Sequence, residues 1–142
     1  MVEQLDVLVG EWSMEADFPG VDPGRATFEW LPGKRFLALR WEVPMPEAPD
    51  GLAVMGWDEE RESLLQHYFD SRGVCRLYTM SFDGRAWEMT RTKADFSPLS
   101  FSQRWKATVS PDLIEGAWER TGDDGEWMKD FDLTYRRVAA PA

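Results

Sequence analysis

A chain of 142 residues, 43% apolar and 30% charged, fits one soluble globular domain that buries roughly two thirds of its unfolded surface. Sixteen Lys and Arg against 26 Asp and Glu leave a net charge of −10, which repels phosphate backbones and makes nucleic acid and anionic membranes poor partners. One cysteine rules out an internal disulfide, one histidine rules out a two-histidine metal face, and no metal site is expected.

The first residues, Met1-Val2-Glu3-Gln4-Leu5-Asp6, carry no basic region followed by an apolar run, and no stretch is apolar enough to span a bilayer. The expected location is cytoplasmic. Residues 2–9 read as a short amphipathic helix with Leu5, Leu8 and Val9 on one side. From Gly10 onward period two takes over. Trp12, Met14, Ala16 and Phe18 alternate with Glu11, Ser13, Glu15 and Asp17, as Ala26, Phe28 and Trp30 do with Arg25, Thr27 and Glu29. Residues 35–43 carry Leu37, Leu39, Trp41 and Val43 on one face and Phe36, Ala38, Arg40 and Glu42 on the other.

Segments 52–57 and 64–70 follow, parted by the charged turn Asp58-Glu59-Glu60-Arg61-Glu62. Segments 74–82 and 86–92 flank Asp83-Gly84, a hairpin signal because glycine accepts positive φ. Phe101, Gln103, Trp105, Ala107 and Val109 alternate with polar residues, and segment 113–120 comes next. A last strand, 127–137, holds Trp127, Phe131, Leu133 and Tyr135, leaving 138–142 as a short frayed tail. Residues 44–51, and 94–100 with Pro98, are candidate rim loops.

About ten short strands at this spacing predict an all-β, up-and-down antiparallel barrel formed by residues 10–137 of a single domain, 1–142. The eight tryptophans fall one to a strand on eight of the ten strands, so their rings would line or close a common interior.

Gly10-Glu11-Trp12, on the first strand after a short helix, resembles the Gly-x-Trp opening of lipocalin-like (calycin) barrels. Further stretches carry the likeness along the chain: Thr27-Phe28-Glu29-Trp30-Leu31-Pro32-Gly33-Lys34-Arg35-Phe36-Leu37 and His67-Tyr68-Phe69-Asp70-Ser71-Arg72-Gly73-Val74, then Asp95 to Arg104, and Phe131-Asp132-Leu133-Thr134-Tyr135. Together they look like an uncharacterised bacterial family of small lipocalin-like proteins, a domain of unknown function. That resemblance implies a calycin barrel and no established activity. It also implies that Arg136 or Arg137 packs on Trp12 and closes the barrel end.

Nitrobindin barrels, which bind haem through a histidine near the C-terminal end, are distantly similar. Here Met14-Glu15-Ala16 replaces their later glycines and 127–137 contains no histidine, so that route to haem does not carry over.

The leading expectation is a barrel that binds an apolar or aromatic small molecule in a tryptophan-lined cavity, with no cofactor. Its pocket candidates are Trp12, Trp41, His67, Tyr78, Arg104 and Trp105. An alternative is an acid–base enzyme, an isomerase, cyclase or hydrolase, with His67 or an interior Glu as base and Arg stabilising negative charge. Another is haem held by His67 as a non-standard axial ligand, although a strand histidine more often faces solvent or meets a neighbouring strand. A solid aromatic core serving a structural or interaction role is the plainest alternative. Cys75 reads as a buried inert thiol, and Asp70-Ser71-Arg72-Gly73 as a hairpin turn with a local ion pair. Strands apolar on both faces also permit a homodimer sharing one sheet face.

Overall fold

Period-two alternation becomes ten antiparallel strands: β1 (Gly10–Ala16), β2 (Gly24–Trp30), β3 (Phe36–Glu42), β4 (Gly51–Asp58), β5 (Ser63–Asp70), β6 (Cys75–Phe82), β7 (Ala86–Arg91), β8 (Gln103–Val109), β9 (Leu113–Thr121) and β10 (Trp127–Ala139). In this computed structural model, residues 2–46, 48–91 and 102–139 are described. The expected rim loop at 94–100, and Phe101 with it, lies outside them. Each strand pairs with its neighbours in sequence and β1 pairs with β10, so the sheet closes into an up-and-down, calycin-like barrel without free edges. The last strand runs two residues further than the pattern indicated. Among the described residues no helix is long and apolar enough to cross a membrane.

The N-terminal helix is a 3-10 helix of six residues, Glu3–Leu8. Six residues are too few to repay α-helix nucleation, and a three-residue turn brings Leu5 and Leu8 onto one face. Both are fully buried, so the helix acts as a plug across one end of the barrel. Asp6 accepts the Trp30 indole N–H at 2.9 Å, and the Gln4 amide donates to the Phe82 carbonyl.

Arg137 locks the same end. Its guanidinium lies 4.2 Å from the centre of the Trp12 ring and donates to the Val9 and Val7 carbonyls at 2.7 Å each, and to the Pro111 carbonyl. Trp12 is fully buried and donates its indole N–H to the Leu8 carbonyl at 2.8 Å. One cation thereby ties the plug, the first strand, the last strand and the β8–β9 turn.

A register shift in β10 between Lys129 and Phe131 changes the expected facing of that strand. The extra residue at a bulge inverts the alternation on one side of it. Phe131, Leu133 and Tyr135 face inward as read from the sequence. Trp127 instead stands outside, 36% exposed, beneath the Arg104 guanidinium at 4.2 Å. The other seven tryptophans belong to the interior cluster or pack against it.

Replacing Arg137 by Met is expected to lower unfolding free energy by about 3 kcal/mol, because charged hydrogen bonds to three backbone carbonyls are lost with the ring contact. Arg136→Met, at an exposed neighbour, should change it by less than about 0.5 kcal/mol. Urea denaturation of the two variants measures the difference.

Candidate ligand-binding site

Opposite the plugged end, the inward rows enclose a cavity of about 420 Å³. Its wall is a chain of rings spaced 5.3–6.2 Å between centroids: Trp41 to Tyr68, Tyr68 to Tyr78, Tyr78 to Trp118, and Trp118 to Trp105. Trp87 continues it at 5.5 Å from Trp105. Glycines explain why so many large rings leave space between them. The Trp41 ring lies over Gly51 and the Trp105 ring over Gly116, so close that a Cβ at either glycine would collide with it. Bare backbone lets both indoles lie flat against the wall instead of projecting across the lumen.

Four polar side chains are buried in this apolar setting: Gln66, Arg76, Arg91 and Gln103. The Gln103 side-chain oxygen accepts from the Tyr78 hydroxyl and from Arg91 Nε, both at 3.2 Å. The Arg76 guanidinium lies 5.5 Å from the centre of the Tyr68 ring. Gln66 differs from these. It is 3% exposed and lines the cavity, and its side chain makes no hydrogen bond with any described residue. Its amide atoms are not sealed off, unlike the Trp87 and Trp105 indole N–H groups, and face the lumen.

At the mouth, Tyr68 donates its hydroxyl proton to Asp70 at 2.7 Å, and Arg72 grips the same carboxylate through Nη2 at 2.6 Å. Asp70 and Arg72 thus form the ion pair expected of the turn, and Gly73 supplies its positive φ of 83°. Burial pushes the Asp70 carboxyl up, but the Arg72 and Tyr68 hydrogen bonds together outweigh burial and hold it below the usual aspartate range. Burial, and then the Asp70 charge, push the Tyr68 hydroxyl far above its ordinary value, so it remains a neutral donor. The adjoining rim loop is tied down by the Trp41 indole N–H on the Pro49 carbonyl at 2.9 Å and by the Val43 N–H on Asp50 at 2.8 Å.

Of the six residues singled out in the sequence, Trp41, Tyr78 and Trp105 line the cavity together. Trp12 is in the interior at the plugged end and does not reach it. Arg104 is on the outer face, where Nε and Nη2 each meet a Glu119 oxygen at 3.0 Å; this pairing draws the Glu119 carboxyl below its usual range.

His67 is exposed on the outer face of β5, between Val54 and Leu77 on the neighbouring strands. Acid–base or haem chemistry inside the barrel therefore has no use of this imidazole. Cys75 is exposed rather than buried, because its row faces outward with Leu77. Gln66, Tyr68 and Trp118 are cavity residues that the sequence reading did not single out.

A signal for the facing of β5 was present. Arg76, Tyr78, Met80 and Phe82 form the bulkier row of β6, and the short turn sets Phe69 opposite Cys75, which sends Gln66 and Tyr68 inward. No protein-family model matches the chain, and no curated protein matches it. Among the described residues no three His, Cys, Asp or Glu side chains are grouped to hold a metal ion.

Because the Asp70 carboxyl titrates lower in the folded than in the unfolded chain, its contribution to stability is present above the ordinary aspartate value near 4 and lost as pH falls through the lower folded value. Carbon-detected NMR titration should place the Asp70 midpoint below about 4. Tyr68→Phe should move it upward by removing one donor. A wild-type midpoint at or above the ordinary value would contradict this geometry.

Proposed function

We propose that the barrel binds a small, largely aromatic or apolar molecule that carries one neutral hydrogen-bonding edge, such as a carbonyl or an amide. Gln66 carries this reading. Its amide offers both a donor and an acceptor to the cavity, and no described side chain uses either. A wall built only for stability gains nothing from a polar group there, since a leucine would add apolar contact in its place. The volume, about 420 Å³, falls within the range of small-molecule sites, roughly 300–1,000 Å³. Flat indole and phenol faces at 5–6 Å spacing suit a planar ligand, which can stack on one ring and meet the edge of another.

The other buried polar groups lie along the same strands. Gln66 is directly across from Tyr78, whose hydroxyl is engaged with Gln103, so the polar belt is continuous between β5 and β8. Membership of the lipocalin-like family that the sequence resembles belongs to the same proposal and accords with a plugged barrel open at its far end.

The test compares aromatic carbonyl compounds with hydrocarbons of matching shape, by tryptophan fluorescence and thermal shift. Gln66→Leu should weaken the carbonyl compounds about five- to tenfold, the worth of one hydrogen bond, and leave the hydrocarbons unchanged. A broad panel producing neither quenching nor a thermal shift would sink the proposal.

A further inference from the structure

The chain has three tyrosines, and all three line the cavity. Two of their hydroxyls are engaged, Tyr68 with Asp70 and Tyr78 with Gln103. The third, on Tyr135, makes no hydrogen bond with any described residue. Tyr135 is 5% exposed, yet its hydroxyl is not sealed off as the Trp87 and Trp105 indole N–H groups are, so it opens into the lumen. Its ring meets Phe28 and Trp105 edge to face, at 6.0 and 6.4 Å between centroids. A phenylalanine would make the same two contacts, so packing does not call for the hydroxyl.

Tyr135 forms the floor of the cavity on its wall. From the mouth inward β10 presents Phe131, which meets Phe18 of the β1–β2 loop, then Leu133 and Tyr135; Arg137 of the plugged end comes next. Gln66 stands on β5, five strands away in either direction round the ring of ten, on the opposite wall. Ten strands about 4.8 Å apart and tilted by about 40° make a ring about 20 Å across between backbones. Side chains reaching in from both sides leave a gap that one or two aromatic rings can bridge.

We propose that Tyr135 is a second anchor for the ligand, whose far end carries a neutral hydrogen-bond acceptor for this hydroxyl. The inference rests on the Gln66 reading above and adds a second polar group to the same molecule. The ligand class is then a flat, uncharged aromatic with hydrogen-bonding groups at opposite ends. The surroundings of Tyr135 disfavour a charge. Directly across from it stand Met14 on β1 and Ile114 on β9, with Leu133 beside it on its own strand. The charged residues that line the cavity are elsewhere: Asp22, Arg72 and Asp130 are exposed, and Arg76 is on β6, next to the Gln66 strand. A carboxylate brought to the floor would lose its water with no cation beside it. Burial pushes the Tyr135 hydroxyl far above its ordinary value, so it stays a neutral donor.

The test compares benzamides and 2-naphthamides bearing an acetyl group at the far end with the matching isopropyl compounds, by calorimetry. The two substituents have nearly the same shape and differ in the acceptor oxygen. The wild type should bind the acetyl member of the best-fitting pair about five- to tenfold more tightly, the worth of one hydrogen bond. Tyr135→Phe removes only an unengaged hydroxyl and should erase that preference, whereas Gln66→Leu should weaken both members alike. In the wild type, the Tyr135 Cζ signal in carbon NMR should move further with the acetyl member than with its partner, a readout that needs no variant. Equal affinities, as expected of a floor that merely holds water, or a preference that survives Tyr135→Phe, or equal Cζ shifts, would overturn this inference and leave the Gln66 reading standing. A series that does not bind at all would remove both.

Discussion

Closing ten antiparallel strands into a barrel commits each strand to one inward and one outward row of side chains, and the size of the ring sets how much the inward row must fill. Eight strands make an interior that side chains alone can occupy or that holds one small ligand, and each added strand widens it. Here the inward rows close the ring at one end and fall short at the other. Trp12, Phe28 and Ile114 join Leu5 and Leu8 of the helical plug in the buried core. Toward the far end Gly51 and Gly116 let Trp41 and Trp105 lie back against the wall, and the lumen stays open. The same chain is thus a packed core at its base and a lined cup at its mouth.

That division separates what stabilises the protein from what it can do. The plugged end is held by directional contacts, several of which converge on Arg137 and Trp12, where all three guanidinium nitrogens and the indole N–H donate. The open end keeps polar groups in an apolar wall, and the Gln66 amide faces the lumen there.

Much of this architecture could be read from residue order, because alternation is a direct imprint of the pleat. Strand number, the hairpin at Asp83-Gly84, the turn at Asp70 to Gly73 and the packing of a C-terminal arginine on Trp12 all follow from local pattern or from the lipocalin-like resemblance. What alternation alone leaves open is facing, wherever both rows of a strand are apolar. In β5, Leu65, His67 and Phe69 compete evenly with Leu64, Gln66 and Tyr68, and the neighbouring strands decide between them. Choosing the first row placed the imidazole in the cavity and hid the amide. The β10 bulge is a second case: an extra residue at Asp130 has no compositional signature, yet it turns Trp127 out of the barrel. Arg104 is a different case: its polar row-mates Lys106 and Thr108 already mark an outward row, while its partner Glu119 is fifteen residues away in sequence and directly opposite in space.

The claim on which the account rests is that the aromatic interior is a receptacle with Gln66 at its polar edge. Side-chain nitrogen–proton NMR tests it most directly, by following the Gln66 amide and the eight indole N–H signals while a soluble aromatic amide is titrated in. The account expects Gln66, Trp41 and Trp105 to shift together and saturate at one stoichiometric equivalent, with the outward-facing Trp127 indole unmoved. Shifts confined to Trp127 and other surface groups, or an unmoved Gln66 amide while the indoles respond, would contradict it.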